Sequence, residues 1–382
     1  MEKKHYKKLS LLLLLTYFSL LFTACWDYKD IEDRALILSF GVDTPVPDRI
    51  RLDAEIAEFR PMSAQQTTYN ITHFFGEGSN FDKARENLQV KTKGPLSNGP
   101  ATAVIVSERL AQSDLFEDYL NRANRQYDLR KTVNLLISKR APSDLMQLST
   151  KSNTSIGFFV ENNIQSLFKD THIDISLANV ITESRIKDLA VLIPTIDVVE
   201  GKPQYIGLGV IKDLKLIDII DAADSNGVLF LMSPKTPLVL TLADPKSPAN
   251  VLTFSTLVKK HKIKTSWENE KAVINVFLSV DASLTFQYKL QRKSSEDINE
   301  LKYVLSNYIK KMITESINKS QQNYKVDIFE FVKHFKAQNP IQYRQIEWGK
   351  VYPEAEINVD VNVNITDKNA MEYENKDKLD KR

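Results

Sequence analysis

Residue types able to carry chemistry are sparse along these 382 residues. The five histidines, His5, His73, His172, His261 and His334, are widely separated, and none forms a His-x-x-x-His pair. A helix-borne metal-hydrolase site therefore has no ligands. Ser316 and Lys319 stand at the Ser-x-x-Lys spacing of a serine nucleophile and its base, but no Ser-Asp-Asn or Lys-Thr-Gly partner accompanies them. They read as the surface of a helix. Gly207-Leu208-Gly209 lacks the third glycine and the following helix of a dinucleotide loop, and reads as a strand with close backbone packing. Asp360, Asn362 and Asn364 carry oxygens suited to calcium. Alternate residues on one face of a strand sit about 7 Å apart, too far for a common ion without loop ligands. These readings predict no enzyme, no cofactor and no metal.

Cys25 is the single cysteine, which excludes an intramolecular disulfide, a Cys-only zinc cluster and a Cys-x-x-Cys redox site. Its position gives it a different chemistry. Lys3, Lys4, Lys7 and Lys8 precede an apolar stretch over residues 9–24 that ends in a small residue directly before the cysteine. Those residues make about 24 Å of helix, short of the roughly 30 Å hydrocarbon core, and no stop-transfer pattern follows. Leu21-Phe22-Thr23-Ala24-Cys25 resembles a bacterial lipobox, with Phe22 where an aliphatic residue, usually leucine, is preferred. Residues 1–24 are thus read as a lipoprotein signal, cleaved before a Cys25 that carries acyl chains of the palmitate type. A plain signal peptide is the alternative. Acyl chains at ~0.8 kcal/mol per buried methylene anchor a protein without help from a basic surface. The net charge of +2 for the whole chain gives no electrostatic reason to propose nucleic-acid binding.

Trp26, Asp27, Asp30, Glu32 and Asp33 follow the lipid site directly. An indole favours the membrane interface and a carboxylate needs a donor, so Trp26 and Asp27 are candidate contacts for a membrane-embedded partner. The plainer reading is a charged tether. The face around residues 206–216 is the next candidate for docking. Lys259, Lys260, His261, Lys262 and Lys264 form the densest basic run after the leader; they read as a solvated hairpin in preference to a headgroup contact.

The elements that position these residues follow from periodicity. Strands are expected over 35–42, 51–59, 103–106 and 133–138, with helices over 80–88, 114–122 and 143–148 and a long polar loop over 60–80. This strand–helix alternation makes an N-terminal α/β region over 26–195. A C-terminal α+β region over 204–366, with a further division near 250, contains a hairpin at 212–215 and strands over 251–258, 272–280 and 284–290. The longest helix, 295–320, carries Ile298, Leu301, Leu305, Tyr308 and Met312 on one face and lies across a sheet. Asp327 is expected to cap a shorter helix with Glu330 as its capping-box partner. Val359, Val361, Val363 and Ile365 alternate with polar residues in a last strand with one wet face. Residues 367–382 read as a disordered charged tail. The fold class is mixed α/β and α+β, on a lipid anchor.

These motifs resemble one family. CWDYKDIEDRALILSFGVD, with Cys25, Trp26, Asp27, Asp30, Ala35, Gly41 and Asp43 in place, is similar to the opening of the Ger(x)C lipoproteins, the C subunits of GerA-type spore nutrient germinant receptors. AVIVSERLA (103–111), IGLGVIKDLKL (206–216), Asp327-Ile328-Phe329, Pro340 and Trp348 continue the match to about residue 366. Ile211 stands where the family usually has phenylalanine, and Glu330-Phe331 where it has Phe-Gly. The resemblance implies three mixed α/β domains on the outer face of the spore inner membrane, acting with two integral-membrane subunits of A and B type. It implies no enzyme activity and leaves open whether this subunit touches the nutrient. The rival reading, a lipid-anchored solute-binding protein of a transporter, requires two glycine-rich βαβ lobes.

Overall fold

The computed structural model describes residues 34–63, 66–169, 171–232, 237–289 and 293–367. The leader, Cys25, Trp26, Asp27 and the expected tail beyond Asp367 lie outside the described residues. β1 (Ala35–Asp43), β2 (Ile50–Ser63) and β3 (Gln66–Gly78) form an antiparallel ribbon. After α1 (Phe81–Gln89), the short β4 (Leu96–Ser97) and then β5 (Ala103–Ser107) pair parallel to β1. α2 (Leu115–Arg125) leads to β6 (Asn134–Ser138). α3 (Pro142–Ser152), a helix from Ile156 to Phe168 with a π turn at Val160–Ile164, and α4 (Leu177–Glu183) lead to β7 (Val191–Val199). β8 (Lys202–Lys212) and β9 (Lys215–Asp221) complete a sheet of order β3-β2-β1-β5-β6-β7-β8-β9, with β4 beside β1.

The second sheet follows α5 (Ser225–Met232) and consists of β10 (Leu238–Asp244), β11 (Ser247–Glu268), β12 (Lys271–Gln287) and β13 (Glu356–Asp367), in that order. β12 and β13 are parallel, so the chain must cross over between them. It does so through α6 (Ser295–Lys319) and α7 (Phe331–Gln338). The fold is α+β with mixed sheets flanked by helices. The 212–215 hairpin forms as expected: Asp213 and Leu214 take φ of 49° and 62°, the left-handed pair whose twist matches the flanking strands. Asn269 and Glu270 repeat this between β11 and β12.

Three expectations are corrected. The loop over 60–80 is largely strand, β3 pairing with β2 from Gly78 back to Gln66. Its polar residues hide the alternation because His73 and Glu77 meet Asp53 and Arg51 across the ladder. The strands over 272–280 and 284–290 are one strand, β12; the basic run lies inside β11, on one arm of the long β11–β12 hairpin, with a bulge between Val258 and Lys260. On α6 the buried residues are Ile298, Leu301, Leu305, Ile309, Ile313 and Ile317, while Tyr308 is exposed and Met312 half-buried. A run of four-residue steps winds slowly around the helix and so tracks a twisted sheet. Each fully buried aliphatic contributes about 2 kcal/mol.

The expected boundary between 195 and 204 coincides with the β7–β8 hairpin, whose strands stay paired, and residue 250 lies within β11. The change of sheet comes between Met232 and Leu238. One core joins Ile105, Leu136, Leu192 and Leu208 of the first sheet to α5, α6 and the inner face of the second. A second core, under α1, α2 and α4, fills the opposite face of the first sheet.

Candidate functional site

On the side of the first sheet that carries α3, the β1–β3 end is polar where the rest is apolar. Arg51, Asp53 and Glu55 alternate with the buried Ile50, Leu52, Ala54 and Ile56, yet Asp53 and Glu55 are 0% exposed. Among the described residues Glu55 has no cation partner. Its carboxylate accepts from Ser39 Oγ (2.9 Å), Ser155 Oγ (2.5 Å) and Ser149 Oγ, and from the backbone N–H of Ile156 (2.9 Å) and Gly157 (3.4 Å). It thereby ties β1 and β2 to α3 and to the start of the next helix. Asp53 accepts from Arg51 Nε and Nη2 (3.1 and 3.0 Å) and lies 2.7 Å from His73 Nε2. The Arg51 guanidinium in turn stacks 3.9 Å above the Phe75 ring. Buried Asp43 binds the Arg109 guanidinium through Nε (2.7 Å) and Nη2. The layer contains an Asp–His pair, but the hydroxyls of Ser39, Ser149 and Ser155 donate to Glu55 and not to the histidine. This arrangement fixes helices to a sheet edge.

A second polar centre joins the two halves. Asp327, fully buried, accepts from the N–H groups of Phe329 (2.9 Å) and Val332 (2.7 Å), while its backbone carbonyl accepts from Ala190 N beside β7. The side chain does cap α7, as expected, but from four residues before the helix. Glu330 adopts a left-handed φ of 59° and pairs with Lys333 instead of completing a capping box. Burial pushes Asp327 up to about 6 from its ordinary 3.8, against the downward pull of those N–H groups. A raised carboxyl stabilises the fold most when protonated, so this contribution is present below the ordinary value and fades as the pH rises through about 6. Asp327→Asn keeps an acceptor without the charge. Relative to wild type it is expected to gain roughly 2 kcal/mol between about pH 4 and about pH 7, measured by chemical denaturation. A pH-independent difference would show that Asp327 stays ionised throughout.

The histidines, distant in sequence, are not all distant in space. Burial pulls His261 on β11 down to about 4, with the nearby His334 of α7 and His172 adding to the effect. Among the described residues no group of three or more His, Cys, Asp or Glu is placed to hold a metal. Ser316 Oγ donates to Met312 O within α6, and Lys319 Nζ lies 3.6 Å from Asp218. Lys259, Lys260, Lys262 and Lys264 are exposed along β11, and Asp360, Asn362 and Asn364 are exposed along β13. The 206–216 face is largely covered, with Leu208, Val210, Ile211 and Leu216 at most 4% exposed, because β8 is an inner strand of the sheet. Sequence reasoning missed the Glu55 centre and the burial of Asp327, though it found the latter's capping role.

Two family models match nearly end to end. Residues 27–198 fit the spore germination protein N-terminal domain, and residues 206–369 fit the C-terminal domain described as spore germination B3/GerAC like. The chain belongs to the GerAC family of spore germination proteins. Among its relatives, spore germination protein B3 of Bacillus subtilis (strain 168) is 21% identical, covering 89% of this chain and 93% of that one. Spore germination protein YndF of the same organism is 20% identical, over 96% and 98% respectively. The crystal structure of the GerBC protein superposes with a TM-score of 0.60 at 20% identity, over 89% of this chain and all of that one. No described helix is long and apolar enough to cross a membrane. The residues that carry the GerAC resemblance mostly serve packing. A Cβ on Gly41 would lie 2.6 Å from the Pro142 Cβ of α3. Gly207, at φ 149°, leaves no room for a Cβ against the Ile220 carbonyl. Trp348 is 2% exposed, with ring centroids 5.1 Å from Phe335 and 6.0 Å from Tyr352.

Proposed function

We propose that this germination protein is the lipid-anchored, non-enzymatic C subunit of a spore nutrient germinant receptor. In this reading it is held through Cys25 on the outer face of the spore inner membrane and acts with two integral-membrane subunits of A and B type. The observation that carries it is the match of the two germination-protein models to residues 27–198 and 206–369, the first beginning two residues after the cysteine of the lipobox-like sequence. A non-enzymatic subunit acts by binding, and an anchor confines that binding to partners close to the lipid surface. The solute-binding alternative calls for two βαβ lobes, and the antiparallel pairing of β10, β11 and β12 does not favour it.

Trp26 and Asp27 sit next to the anchor and are assigned the contact with a membrane subunit. Trp26→Ala combined with Asp27→Ala is expected to lower the germination response to nutrient while lipidation and folding stay normal. The comparison is made at equal protein level in spores. A double variant that accumulates and germinates like wild type would reduce the segment to a tether. A thermal-shift screen with amino acids and sugars tests whether this subunit itself takes the nutrient.

A further inference from the structure

The inner face of the second sheet packs on α5, α6 and α7, and Phe254, Ile263, Val276, Leu278 and Val361 are buried there. The alternate residues of the same strands point to the other side, where they are exposed or half-buried. Register sets them in three transverse rows: Lys260, Ser279 and Asn362; Lys262, Phe277 and Asp360; Lys264, Asn275 and Asn358. Lysines therefore line β11 at intervals of about 7 Å, with amides and one carboxylate on β13 about 10 Å away. Between them on β12 stands Phe277, 40% exposed. Among the described residues Lys260, Lys262 and Lys264 form no ion pair, whereas Lys259, the extra residue of the bulge, lies 3.9 Å from Asp281. The adjoining edge of β11 is closed. Gln338 at the end of α7 accepts from the Thr265 N–H (2.8 Å) and donates to the Ile263 carbonyl (3.1 Å), and Asn339 donates to the Thr265 carbonyl (3.1 Å). A peptide strand has no free backbone to add to at these residues, so whatever meets the lysines lies on the face.

We infer that this face binds a carboxylate-bearing polysaccharide, with its acid groups along Lys260, Lys262 and Lys264 and a sugar ring stacked on Phe277. A face offers side chains only, and these are ammonium, amide, hydroxyl, carboxylate and one aromatic ring. The ammonium and amide groups supply donors for carboxylate and hydroxyl oxygens, while Asp360 and the amide oxygens accept from sugar hydroxyls. The apolar C–H side of a pyranose lies flat on an exposed ring. A protein partner is a poorer match, because a specific interface has an apolar centre and Phe277 is the only apolar side chain in the three rows. A bilayer matches no better, since the exposed Asp360 and Glu356 would meet phosphates of their own sign. The inference rests on the second sheet alone and needs neither the anchor at Cys25 nor the receptor reading.

Full-length protein in detergent micelles is titrated into fluorescein-labelled oligogalacturonate, and anisotropy is read at about 0.15 M salt, where charges more than about 8 Å apart are screened. Oligoglutamate of equal charge presents carboxylates without sugar rings, and a dextran oligosaccharide presents rings without carboxylates. Binding to oligogalacturonate is expected to saturate and to be severalfold tighter than to either comparator. Lys260→Gln, Lys262→Gln and Lys264→Gln together should weaken it about tenfold, the sum of three exposed charge contacts. The same change at Lys302, Lys310 and Lys311 of α6, on the opposite side of the sheet, should leave it unaltered. Phe277→Ser should weaken it severalfold, and Phe277→Tyr, which keeps the ring, should not. Oligoglutamate bound as tightly as oligogalacturonate overturns the inference and gives the lysines to an acidic peptide. No saturable binding, or equal loss in the two triple-lysine variants, overturns it as well. So does a Phe277→Ser protein that binds like wild type, since no ring then takes part. The substituted residues of this face are exposed, so each variant is expected to keep the wild-type melting temperature.

Discussion

Cys25→Ala is expected to abolish membrane attachment and, with it, the germination response. The substitution removes the only thiol in the chain, hence the only site for a thioether-linked diacylglyceryl group. A lipoprotein leader that is not lipidated is left uncleaved, or the protein is lost from membranes. The size of the effect follows from the anchor: at ~0.8 kcal/mol per buried methylene, two acyl chains hold the protein far more firmly than a handful of surface cations would. Metabolic labelling with a fatty-acid analogue, followed by fractionation of spore membranes, measures it. Label retained by the Cys25→Ala protein would sink the lipid-site assignment. Label lost with an unchanged germination response would show that the anchor is dispensable to the role proposed for the subunit.

Glu55→Ala is expected to cost about 3–5 kcal/mol of folding stability, the range for breaking a buried charged network. The carboxylate receives three serine hydroxyls and two backbone N–H groups, all buried at the junction of β1, β2, α3 and the helix that starts at Ile156. Removing it leaves those donors without an acceptor, and each buried unpaired donor costs about 1–3 kcal/mol unless water enters. Glu55→Gln keeps one acceptor oxygen and the side-chain volume, and serine hydroxyls rotate to meet its amide, so a smaller loss is expected. Denaturant midpoints of the three proteins give the ranking. A Glu55→Ala loss under about 1 kcal/mol would mean that water replaces the carboxylate and that the layer is open to solvent. Since the site lies far along the chain from Cys25, lipid labelling of both variants should match wild type.

Local pattern carried some of these features in full. The β13 alternation and the turn at Asp213-Leu214 depend on neighbours within a few residues. A two-residue period or a small residue before a cysteine is complete as a signal before any long-range contact forms. Fold class follows from the order of such elements, and the resemblance to the GerAC family rests on motifs of the same local kind.

What lies over each element could not be decided locally. The row Arg51, Asp53, Glu55 has the look of a wet strand face, and a period-two pattern reports only that the two faces differ. Glu55 is buried because α3 and the helix after it, about a hundred residues later, are laid across that face with serines and N–H groups aimed at it. Asp327 is buried for a similar reason, since α7 begins above it while Ala190, far earlier in the chain, closes over its backbone. His172, His261 and His334, scattered in sequence, come close enough to act on one another only after the second sheet packs on the first. The segment with Gly201 and Pro203 is a turn between paired strands, a pairing that the local punctuation of the sequence does not reveal. Periodicity fixes the character of a face; burial, and with it the meaning of each charge, depends on which distant segment comes to cover it.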